Sequence, residues 1–289
     1  MYVISKLTKK YLNDFSQLNN DRCHFNSYNA NFFELYNNLN FAKQTLLRRR
    51  VKLLVINDKP IGYIWANKES SDKYVINSMM IDKPFLNDKK YFSVLVNSFK
   101  NGVTLEYSCD KNEYNCEFLK EIGFTVIDGT VDMIKIMKDY IIEELEENIT
   151  FEILKKDKDE RARCFIQNEV FKNNKRIPLA VDDIYYDEGQ DYYFEEGAIF
   201  ISKDNKHLGY GQIIIENACA TIVNFGILKE FRNQGFGKAL LIYLLNIIKN
   251  KGFDEVNIRV AYDNISARRL YEKIGFEMVK ESYTWELRK

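Results

Sequence analysis

Two glycines one residue apart, Gly235 and Gly237, open the apolar helical pattern of FRNQGFGKALL at 231–241. Glycine there costs backbone entropy, so the position must serve something that a side chain would block. A helix N-terminus offers free N–H groups and roughly half a positive charge. Small residues at that point let a phosphate come within hydrogen-bonding distance of the backbone. The third glycine of GxGxxG is missing and no GK[ST] follows, which excludes the dinucleotide fingerprint and the Walker loop. A phosphate cradle of another kind is the expected chemistry.

A second reactive group lies further on, in NISARRLYEKIGF at 264–276. Asn264 reads as the cap of a helix and Gly275 as its left-handed stop, with Phe276 packing back. Tyr271 on that helix offers a phenol as a general acid. The elements that must hold these groups follow from hydrophobic period. ITFEILKK reads as a strand and DERARCFIQNEVFK as an amphipathic helix. AIFISKD, HLGYGQIIIEN and CATIVNFGILKEF read as three strands joined by polar turns, and DEVNIRVAY as a half-buried strand. EMVKESYTWEL supplies closing strand or strands.

The chain also echoes itself. FLKEIGF at 118–124 and LYEKIGF at 270–276 match at Ile-Gly-Phe, and Asn112 and Asn264 share the same offset. Two domains are expected, 1–140 and 149–289, joined by the acidic stretch DYIIEELEEN. Composition agrees: 289 residues, 46% hydrophobic, with 42 basic and 42 acidic side chains. The zero net charge provides no field for nucleic acid or an anionic membrane. Five scattered cysteines make neither a disulfide framework nor a metal site. With no apolar leader and no spanning stretch, the expectation is a cytoplasmic protein without membrane, nucleic-acid or metal partners.

RNQGFG resembles the acyl-CoA pyrophosphate loop [Q/R]-x-x-G-x-[G/A] of the GNAT superfamily of N-acetyltransferases. NISARRLYEKIGF resembles the same family's N-x-x-A-x-x-L-Y-x-x-x-G-F segment, in family order and spacing. The resemblance is clear over 200–289 and extends to about 149. It implies an α/β fold of two tandem GNAT-type domains, each a mixed, mostly antiparallel central sheet flanked by helices. It further implies acetyl-CoA bound by the backbone around Asn233, Gln234, Gly235, Phe236, Gly237 and Lys238, with Arg232 beside them. The strand through Phe225, Ile227 and Leu228 would pair with the pantetheine arm, and Gly226 would sit in a bulge there. Asn264 and Ala267 would seat the cofactor, and Tyr271 would direct its hydroxyl at the thioester sulfur. The Ile227 N–H is the expected oxyanion donor. No base is assigned: Asn224 stands where a carboxylate would, and Glu169, Asp183 and Glu216 have no geometric support.

The first copy departs from that pattern. No glycine occurs from Tyr63 to Asn101, its loop counterpart near KPFLNDKKYF carries side chains, and Leu119 replaces Tyr271. A degenerate domain without a cofactor loop is expected. The acceptor side is expected at VDDIYYDEGQDYYFEEG, 181–197, with Asp182, Asp183, Tyr186 and Asn224 as substrate contacts. Its interleaved carboxylates and tyrosines favour a small cationic amine. RRR at 48–50 reads as a solvated helix end. The expected activity is acetyl transfer from acetyl-CoA to a primary amine. A non-catalytic acyl-CoA-binding regulator and a tandem-GNAT aminoacyltransferase stay open as alternatives.

Overall fold

The computed structural model describes residues 2–86, 88–112, 114–142, 148–173 and 176–289. Half of the acidic join, residues 143–147, and Asn87 of the first copy's loop counterpart lie outside those residues. Two compact units emerge, one of residues 1–130 with 280–289 and one of 131–279.

The first unit runs β1 (Tyr2–Lys6), α1 (Leu12–Asn20), α2 (Phe32–Tyr36), α3 (Phe41–Arg48), β2 (Val51–Ile56), β3 (Lys59–Lys68) and β4 (Lys73–Ile81). It continues through α4 (Lys90–Asn97), β5 (Thr104–Asp110), α5 (Asn115–Glu121) and the start of β6 (Thr125–Ile136). Its strands lie in the order β1-β2-β3-β4-β5, antiparallel except for the parallel pair β4–β5. Strands such as VKLLVI and YVINSMMI are β-branched and apolar, which suits a sheet covered by helices.

The second unit takes the rest of β6, then β7 (Ile149–Ile153), α6 (Glu160–Val170), α7 (Val181–Glu188), β8 (Tyr193–Lys203), β9 (Lys206–Glu216) and β10 (Cys219–Ile227). It ends with α8 (Phe236–Asn250), β11 (Glu255–Ala261), α9 (Ile265–Ile274) and the start of β12 (Glu277–Arg288). Strands β7 to β10 pair antiparallel in sequence order, and β10 pairs parallel with β11. The strand β8 is buried on both faces: Ile199 and Ile201 pack with α8 and Ala198 and Phe200 on the opposite face, toward Ile166 of α6. Leu240, Leu241, Leu244, Leu245 and Ile248 of α8 are all buried, as its nearly all-round apolar pattern requires.

One expectation needs correction. The compact units do not divide at 139–148: the division falls between Thr130 and Val131, and the C-terminal segment 280–289 belongs with the first unit. There Ser282–Arg288 pair antiparallel with Asp110–Thr104, and Trp285 is buried in the first unit's core, donating to Cys109 Sγ at 3.1 Å. The acidic segment after Ala180 is also partly helical, as α7, with Ile184 as its single buried residue. Among the described residues no helix is long and apolar enough to cross a membrane.

Candidate active site

Parallel strands β10 and β11 are in register only from Ala220–Ile222 against Val256–Ile258, although both run further. A bulge between Val223 and Gly226, with Asn224 at φ +52°, turns β10 while it stays paired with β9. The far end of β10 therefore leaves β11, and a cleft of about 550 Å³ opens there. Leu228 N–H donates to Leu208 O on the β9 side. Alternation along an antiparallel ladder then turns the Ile227 N–H and C=O away from β9. Arg232 Nε, which lines the cleft, donates to that Ile227 oxygen at 2.9 Å.

The start of α8 closes one end of the cleft. Asn233 at φ +62° and Gly235 at φ +90° fold the loop into left-handed turns, and the first helical N–H bond is Ala239 to Gly235 O. The N–H groups of Phe236, Gly237 and Lys238 precede it and so have no intrahelical acceptor. The two glycines have different reasons. A Cβ at Gly235 would meet nothing within 4 Å, so its backbone conformation selects glycine. At Gly237 a Cβ would point between Leu270 and Ile227, 3.6 and 3.7 Å away, and anything larger would fill the cleft.

Most expected cofactor residues meet here: Phe225, Ile227, Arg232, Asn233, Gly235 and Gly237 line the cleft, as do Lys238, Asn264, Ala267 and Tyr271. Three do not. The Leu228 and Phe236 side chains are buried in cores, and the Gln234 amide donates to Glu230 O at 3.2 Å. Asn264 caps α9 by accepting from Ala267 N at 3.2 Å. Gly275 ends that helix at φ +91°, and Phe276 N returns to Tyr271 O at 3.0 Å. Leu270, the leucine of the N-x-x-A-x-x-L-Y segment, lines the cleft as well, and so do Val170, Phe171, Ser266 and Lys273, which carried no motif to reveal them. Gly226 has a reason other than the bulge: a Cβ there would lie 2.2 Å from Val170 Cγ1, so glycine lets α6 settle on β10.

The Tyr271 ring is buried among Phe225 and Phe276, and its hydroxyl makes no hydrogen bond among the described residues. Burial pushes this phenol well above its ordinary range, which keeps it protonated.

Asn224 looks the other way. Its amide donates at 3.1 Å to Gln212 Oε1, which also accepts from buried Arg163 Nη2 at 2.9 Å. Arg163 pairs with Asp187, stacks over Tyr210 at 5.2 Å, and lies 3.8 Å from Glu188. Asp187 also accepts from Gln212 Nε2 at 3.2 Å and Tyr192 at 2.8 Å, and burial first, then Asp187, pushes the Tyr192 phenol up to about 12. This network had no local signal in the sequence, since its members come from α6, α7, β9 and β10.

The expected acceptor residues are scattered relative to the cleft. Asp183 accepts from Ala180 N at 2.7 Å and so caps α7, while Asp182 and Tyr186 are exposed on that helix. Glu195 pairs with Lys156, and Glu196 with Lys251 at 2.6 Å. None of Asp182, Asp183, Tyr186 and Asn224 lines the cleft, nor do Glu169 and Glu216.

The first unit treats the matching gap differently. Its β4 and β5 are in register over Lys73–Ile76 and Thr104–Tyr107, and the segment after α1 fills the space beyond. Asn29 donates to Met79 O at 2.9 Å, accepts from Met79 N at 3.2 Å, and accepts from Tyr107 OH at 2.8 Å. Asn26 donates to Ser108 O on β5 at 2.9 Å. Protein amides thus satisfy backbone that the second unit leaves facing a cleft.

A parallel pair that splays over a glycine-rich helix start defines the class. The profile described as the acetyltransferase (GNAT) family matches residues 150–276. A [ribosomal protein bS18]-alanine N-acetyltransferase of Haemophilus influenzae is 31% identical over 113 residues, 38% of this chain and 73% of the relative. N-alpha-acetyltransferase 30 of Schizosaccharomyces pombe is 35% identical over 66 residues, 23% of this chain and 44% of the relative. A GCN5-related N-acetyltransferase from Sphaerobacter thermophilus shares the fold over 99% of this chain and 95% of its own, with a TM-score of 0.58 at 15% identity. The chain belongs to the GNAT acetyltransferase family.

Proposed function

We propose that this protein moves an acetyl group from acetyl-CoA to a primary amine of a small acceptor, using the second unit's cleft alone. The carrying observation is the splayed β10–β11 pair opening onto the Gly235–Gly237 helix start. The residues fit the cofactor: N–H groups at the start of α8 would bind its pyrophosphate, with Lys238 and Lys273 lining the same cleft. When bound, acetyl-CoA supplies the activated acyl group. Ile227 N–H, turned from β9, would hold the developing oxyanion, at no cost in reorganisation. Tyr271 would hold a proton for the departing sulfur, and burial keeps that proton in place. Two relatives are named for amine acetylation, one on a ribosomal-protein alanine.

The acceptor reading narrows with the structure in hand. Arg163, Lys156 and Lys251 already balance Asp187, Glu195 and Glu196. A multiply charged acceptor would rely on exposed Asp182 and Asp183, so a single amine is the primary reading. The test is thiol release from acetyl-CoA with a panel of amines, polyamines, aminoglycosides and N-terminal peptides. Amine-dependent release is expected. Binding of acetyl-CoA without release for any amine would support the regulatory alternative instead.

A further inference from the structure

The first unit has its own pocket, about 460 Å³, where β2 starts, β3 ends, β4 starts and the chain leaves α4. Arg49, Arg50, Lys52, Lys68 and Lys100 line it around Tyr74 and Phe99, and among the described residues no carboxylate side chain does. Nearby acids are engaged elsewhere: Glu69 and Glu106 pair with Lys73 at 2.7 and 3.0 Å, and Asp72 accepts from Ser70 at 2.8 Å. Arg50 donates to Asn67 at 2.9 Å, whereas Arg49, Lys68 and Lys100 have no side-chain partner among the described residues.

Helix capping accounts for part of this charge. Lys52 Nζ donates to Ser98 O at 2.7 Å beyond the end of α4 and lies 3.8 Å over the Phe99 ring. Lys289 donates to Asn97 at 2.7 Å. Capping does not explain Arg49, Arg50, Lys68 or Lys100, nor why Lys6 stands directly opposite Lys52 across the β1–β2 ladder. Like charges so placed destabilise a sheet. Burial, then Lys289 and Lys6, lower the Lys52 pKa to about 8. At the matching corner of the second unit, where β8 begins and α8 ends, Lys251 is neutralised by Glu196.

We propose that this pocket binds a compact oligophosphate. The cations ring one concavity of small-ligand size instead of forming a stripe, and the chain's zero net charge gives no general attraction for long polyanions. Free oligophosphate and the phosphate tail of a nucleotide share this chemistry.

The test is calorimetry of the full chain with inorganic tripolyphosphate at fixed ionic strength, in wild type, in Gly237→Glu, and in Arg49→Ala/Lys68→Ala/Lys100→Ala. Those three side chains are exposed, so their loss spares the fold. Saturable binding should survive Gly237→Glu and weaken about tenfold or more in the triple variant. Survival in Gly237→Glu keeps this test separate from the fate of the acetyl-CoA reading. A nucleoside triphosphate arm reads the source: tighter binding than tripolyphosphate assigns the rings of Tyr74 and Phe99 to a base, and equal binding assigns the site to the phosphates; either supports the proposal. Binding no tighter than sulfate, or unchanged in the triple variant, overturns it. So does a single-stranded RNA oligomer that binds more tightly and displaces tripolyphosphate.

Discussion

Tyr271 and Gly237 carry most of the proposed chemistry, and each is defined by what surrounds it. Removing only the hydroxyl, as Tyr271→Phe, should lower turnover by about ten- to a thousandfold while leaving acetyl-CoA affinity nearly unchanged. The pH behaviour follows from the sign of the shift. A phenol with its ordinary value would be half ionised near pH 10, but burial raises this one, so the acid form persists there. The ratio of wild-type to Tyr271→Phe turnover should therefore stay constant from pH 7 to pH 10. Turnovers within twofold of each other at every pH would make the tyrosine a packing residue. These positions were legible in the sequence because their signals are local: a cap, a left-handed stop, two glycines at a helix start. The Arg163–Gln212–Asn224 chain was not, because three separate elements meet only after folding.

Among the elements, α8, α9 and the strands of both units follow the hydrophobic period closely. Helix α7 was hidden, since VDDIYYDE buries a single residue and its acids read equally well as a loop. The role of β12 was hidden for another reason: alternation predicts a strand, but not which strand it pairs with. The contrast between the two parallel strand pairs yields a stability prediction. Asn29 serves both the N–H and the C=O of Met79 and accepts from Tyr107. Asn29→Ala leaves buried polar groups unpaired and should cost about 1–3 kcal/mol in urea unfolding. Unchanged stability would show that these amides do not hold the β4–β5 gap.

Across the whole molecule, two units of similar size have separate cores, and the ligands proposed for them differ. The second unit leaves backbone open beside a glycine-rich helix start, while the first fills the matching space with Asn26 and Asn29. That asymmetry is the central claim, and the stoichiometry of acetyl-CoA binding tests it most directly. Isothermal titration of the full chain should give one site, and Gly237→Glu should abolish it by placing bulk and negative charge between Ile227 and Leu270 while the far-ultraviolet spectrum stays unchanged. Two acetyl-CoA molecules per chain, or one that still binds Gly237→Glu with wild-type affinity, would contradict the account.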